Sequence, residues 1–94
     1  MVVNHIVWSV LKKKDDTIQR LWKIETYNAY NKARRRAERV ILESNPLAEN
    51  LKTESIQIVT KEHKRSTAVL VYSDESNIAA VIEGVERETN DKED

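Results

Sequence analysis

Ser73-Asp74-Glu75-Ser76-Asn77-Ile78-Ala79-Ala80-Val81-Ile82-Glu83-Gly84-Val85-Glu86-Arg87-Glu88 carries the last long apolar run of the chain, and its reading decides the fold. Ser73-Asp74-Glu75 has the composition of a helix N-cap, and Ile78, Val81, Ile82 and Val85 follow at the spacing of one helical face. The stretch therefore predicts a helix over about residues 75–88. Gly84 inside it costs about 1 kcal/mol relative to Ala and marks close packing.

Working back, residues 55–61 and 66–72 read as two strands joined across Glu62-His63-Lys64-Arg65, with Ile56, Ile58 and Thr60 on one side of the first. Residues 2–11 are rich in β-branched residues and read as a strand. Residues 15–43 admit two parses. As one long helix they offer a stripe of Ile18, Leu21, Trp22, Ala29, Ala33, Ala37, Val40 and Ile41, but Glu25 falls inside it. As strand 17–26 followed by helix 28–44, Ile18, Trp22 and Ile24 alternate with polar residues, Thr26 and Asn28 serve as caps, and Pro46 disfavours helix at Asn45. The second parse is the better one.

The order is then ββαββα. It predicts a two-layer α+β fold with a four-stranded antiparallel sheet and two helices on one face, in one domain over residues 1–89, with an acidic frayed tail at 90–94.

With 94 residues, 39% hydrophobic and 34% charged, the chain can fold around a modest core. One Gly and one Pro exclude collagen-like, linker-like and glycine-rich phosphate-loop proteins. No apolar run is long enough for a membrane span, and the N-terminal apolar stretch, broken by Asn4 and His5, lacks signal-peptide character. Zero Cys removes disulfides and thiolate chemistry and fits a cytoplasmic location.

Charge is balanced overall and uneven along the chain. Residues 1–73 hold 14 basic and 8 acidic residues and residues 74–94 hold 2 and 8, so a basic body carries an acidic C-terminal end. The strongest basic cluster lies on the first expected helix. At 100° per residue, Lys32, Arg35, Arg36 and Arg39 share one lane opposite Ala33, Ala37 and Ile41, with Glu43 among them. Guanidinium forks match phosphate oxygens, so this lane is a candidate nucleic-acid-binding surface. Lys61, Lys64 and Arg65 at a hairpin tip form a second candidate contact. Ordinary solvated faces, with pairs such as Arg35–Glu38 and Arg39–Glu43, explain the same residues without a ligand.

Strand alternation places Val2, Ile6, Trp8, Val10, Ile18, Trp22, Ile24, Ile56 and Ile58 under the helices. It leaves Val3, His5, Val7, Leu11, Leu21 and Val59 on an open face. That face is apolar enough to be an interface, and it predicts a homodimer or a protein partner. Trp8 and Trp22 are expected to pack as core neighbours, and Tyr27 to cover the sheet end or stack on a base.

Catalysis finds no foothold. His5 and His63 are the only histidines, no third metal ligand stands at suitable spacing, and Gly84 alone cannot make a phosphate loop. No cofactor is expected. The first expectation is a small nucleic-acid-binding accessory protein. The alternative is an interaction module, whether inhibitor, adaptor or assembly subunit, working through the open sheet face and the acidic end. A small-molecule-binding domain is the third. No motif singles out a family.

Overall fold

The computed structural model describes residues 2–12, 18–59, 63 and 65–87. The chain is α+β, with order β1 (Val2–Lys12), β2 (Ile18–Tyr27), α1 (Tyr30–Ser44), β3 (Lys52–Val59), β4 (Arg65–Tyr72) and β5 (Ile78–Arg87). All five strands join one antiparallel sheet in the order β2-β1-β5-β4-β3. The expected four-stranded sheet with two helices is therefore corrected to five strands and one helix.

The residues expected to form the second helix make β5, the central strand. Their near-continuous apolar run belongs to a strand buried on both faces, where period-2 alternation disappears. Ile78, Val81, Ile82 and Val85 are β-branched and suit that pleated environment. Ala79, Ala80, Val81 and Ile82 are all buried. The cap-like residues ahead of them build a turn instead. Ser73 Oγ donates to the Glu49 carbonyl at 2.9 Å, bonds the Glu75 carboxylate, and accepts from the Glu75 amide at 3.3 Å. Ser76 N donates to the Ser73 carbonyl at 3.2 Å, and Ser76 Oγ brackets Ile78 in the same way. Side-chain oxygens that cap helices equally close turns, which is why the local signal is ambiguous.

Chain order explains the rest of the topology. Two hairpins, β1–β2 and β3–β4, stand apart until β5 pairs with β1 on one side and β4 on the other. α1 must carry the chain from one sheet edge, β2, to the other, β3. Its 15 residues span about 22 Å, close to the four inter-strand steps of about 19 Å between those edges. The helix starts at Tyr30, two residues later than the expected start at 28, with Ala29 as N-cap and no capping side chain. At its C-terminus, the Asn45 amide N–H bonds the Ile41 carbonyl. Asn45 Nδ2 also ties to the Glu75 carbonyl at 2.6 Å, pinning the helix end to the β4–β5 turn.

The sheet has a core on each face. On the helix side, Ala33, Ala37 and Ile41 pack on Val7, Val71, Ala80 and Ile82, bordered by Ile24, Tyr27, Tyr30, Leu51 and Val69. The small alanines let the helix axis lie close to the strands. On the other side, Val10, Ala68, Leu70, Ala79 and Val81 form a second cluster, bordered by Trp8, Ile56, Ile58 and Tyr72. Among the described residues no helix covers this second face.

On β1 and β3 the two faces are thus the reverse of those expected from alternation, whereas on β2 Ile24 borders the helix-side core as expected. Val7 is wholly buried beneath α1, and His5 meets Tyr30 edge to face with ring centroids 5.9 Å apart. Val3, Leu11 and Val59 share the helix side by alternation, and the Leu21 side chain lies outside the described residues. Trp8, Val10, Ile56 and Ile58 lie on the side without the helix. The reversal arises because β1 is an inner strand apolar on both sides, so side-chain size alone does not say which side meets the helix. Trp22 is also misplaced by the expectation: it is 57% exposed, opposite Ser9 on β2.

Candidate nucleic-acid interface

α1 arises because Ala33, Ala37, Val40 and Ile41 recur at helical spacing and are buried, which turns the basic residues outward. Lys32, Arg35 and Arg39 are exposed, and Arg36 is half-buried. Their companions are partly neutralised. Arg34 Nε pairs with Glu38 at 3.6 Å, and Arg36 reaches two turns along the helix to Glu43, 2.9 Å away. These pairs differ from the Arg35–Glu38 and Arg39–Glu43 pairings that spacing suggests. The consequence is that Lys32, Arg35 and Arg39 keep no acidic partner among the described residues.

β2 borders this lane. The Tyr27 hydroxyl donates to the Glu25 carboxylate at 2.6 Å. That hydrogen bond, with burial and the Glu25 charge, raises the Tyr27 pKa above its ordinary value, while Arg36 and Arg39 pull it the other way. Tyr27 is therefore engaged with Glu25 and packed at the core edge. Trp22 shares its side of the sheet with Ser9, hence with Val7 and the helix, and is an exposed ring of the kind that stacks on bases. Strand alternation assigned Trp22 to the core. No local sequence signal marks it as a surface residue, since it alternates with Lys23 as a core residue would; its exposure follows from the place of β2 at the sheet edge.

The second basic patch is less complete. Lys61 and Lys64 lie outside the described residues, as does the Lys13-Lys14-Asp15-Asp16 tip. Arg65 is exposed at the start of β4, three strands from β2 and from the start of α1, though on the helix side by alternation. His63 holds a left-handed backbone, φ 60°, as a tight turn requires. At the sheet's opposite end, Lys52 Nζ pairs with Asp74 at 2.7 Å, which raises the lysine pKa.

Among the described residues no three His, Cys, Asp or Glu side chains gather as metal ligands. His5 is packed on Tyr30, and Ser9, which follows it on the same face, is buried without a hydrogen-bond partner among the described residues. Among the described residues no helix is long and apolar enough to cross a membrane. No family model, curated protein or solved structure matches the chain.

Proposed function

We propose that this chain is a non-enzymatic binding protein that grips the phosphate backbone of nucleic acid through the outer lane of α1. The observation that carries this reading is the set Lys32, Arg35 and Arg39, exposed and without an acidic partner among the described residues while neighbouring arginines are paired. From Lys32 to Arg39 the helix rises about 10 Å, so the three cations can meet neighbouring phosphates of the backbone. Arginine forks and a lysine point charge suit those oxygens, and the contacts carry no base information, so binding is sequence-tolerant. Trp22 on the same side of the sheet adds a stacking contact when the nucleic acid is single-stranded.

Fluorescence anisotropy of a labelled mixed-sequence duplex, titrated with the protein across a salt series, tests this. Three phosphate contacts predict a log–log salt slope of about −2.7. No binding at about 50 mM salt, or binding that ignores salt, overturns the reading. Salt-insensitive capture of a protein instead would favour an interaction module.

A further inference from the structure

The two edges of the sheet are built differently. The β2 ladder slips register between Val7 and Trp8 and again between Ser9 and Val10, and β2 carries Arg20, Lys23 and Glu25. Slips and charges both discourage an edge strand from recruiting another. β3 has neither protection along its second half. Its ladder with β4 runs from Lys52↔Tyr72 to Val59↔Arg65 without a shift, and Ser55-Ile56-Gln57-Ile58-Val59 contains no charge, proline or glycine. Among the described residues no strand lies on its outer side. About half of its backbone N–H and C=O groups therefore point outward.

We infer that this edge pairs with β3 of a second copy, antiparallel, about a two-fold axis through Gln57. Residues directly opposite in an antiparallel pair point to the same face. Ile56 then faces Ile58 of the second copy, and the four isoleucines join the two second-face cores into one apolar strip. On the helix side Gln57 faces Gln57, each amide offering a donor and an acceptor, and Ser55 faces Val59. No charged residue enters the Ser55–Val59 overlap. Moving the axis to Ser55 would instead set Glu54 against Ile56 and Lys52 against Ile58, so charge and apolarity both select the Gln57 register. This axis is normal to the sheet, which puts both copies of α1 on one side of a ten-stranded sheet. Five paired residues per chain bury less than the ~1,600 Å² of a standard interface, so the association is a weak, concentration-dependent one.

The test is sedimentation velocity on the full chain from about 5 to about 500 µM, for wild type, Gln57→Lys, Gln57→Glu and an equal mixture of the two variants. Gln57 is exposed, so matching thermal midpoints will show that each variant keeps the monomer fold. Wild type should pass from monomer to dimer. Each variant should weaken dimerisation about three- to fivefold, because like charges meet at the axis, and the mixture should restore it. Gln57→Cys, the sole cysteine in such a chain, should oxidise to a covalent dimer. A wild type monomeric throughout, variants that dimerise like wild type, or no rescue in the mixture overturns the inference. Loss of duplex binding with the dimer intact would count against the proposed function alone.

Discussion

The indole N–H of Trp8 donates to the carboxylate of Glu83 at 2.8 Å, joining residues 75 apart in sequence across the β1–β5 ladder. Glu83 is only 7% exposed, on the face without a helix. A buried carboxylate is tolerable only with donors aimed at it, so the pair locks the second core in one arrangement. Trp8→Phe, which removes the donor and keeps a ring, should cost about 1.5–3 kcal/mol, read from the urea midpoint. Glu83→Gln keeps an acceptor and should cost less.

Ser9 provides the contrary case. It is buried between Trp22 on β2 and Ala80 on β5, and its hydroxyl has no partner among the described residues. Ser9→Ala removes the stranded oxygen and should raise stability by about 1 kcal/mol in the same urea experiment.

Gly84 faces His5 across the central ladder. A Cβ built there meets only Val3 Cγ1, at 3.6 Å, an ordinary van der Waals contact. No close packing demands a glycine at this strand position. Gly84→Ala should therefore stabilise the chain by about 0.5–1 kcal/mol, seen as a higher thermal midpoint.

Tyr27 and Lys52 both titrate above their ordinary values, the first through its hydrogen bond to Glu25 and the second through its bond to Asp74. A group whose folded pKa is raised lends stability that is complete below its unfolded pKa and is lost as pH climbs through the folded one. Stability should thus hold up to the ordinary tyrosine value of 10.0 and decline above it, with the Lys52 contribution following above 10.5. Ultraviolet titration of tyrosinate should lose, in Tyr27→Phe, a component that titrates above 10.0.

On α1, the paired and unpaired arginines should separate in binding. Arg35→Gln and Arg39→Gln should each reduce the salt slope on duplex DNA by about 0.9 and weaken binding evenly across sequences. Arg34→Gln, which removes an arginine already committed to Glu38, should change the slope far less.

The first hairpin, the helix and the second hairpin were legible because each carries a local signal: β-branched runs, alanines at helical spacing, and a charged tip. β5 was not. Ile78, Val81, Ile82 and Val85 satisfy a helical face and a doubly buried strand equally well, and Ser73 serves a cap or a turn with the same oxygen. What separates the alternatives is that β1 and β4 each need a second neighbour, and that information is spread over the whole chain. The faces of β1 were read in reverse for a related reason. Val7 looked like a surface residue beside Trp8, yet the helix presents alanines, which accept a valine more closely than an indole. Lys32, Arg35, Arg36 and Arg39 did emerge on one outward lane, since a buried stripe fixes its own opposite.

The position of β5 also governs when the chain can fold. Val2 pairs with Arg87, so β1 waits for nearly the last residues of β5 before its inner edge is covered. Until then a nascent chain holds two separate hairpins and a helix with half a sheet to rest on. Contacts so distant in sequence make for slow folding. They also leave β1, apolar on both faces, as the segment most in need of protection while synthesis is under way.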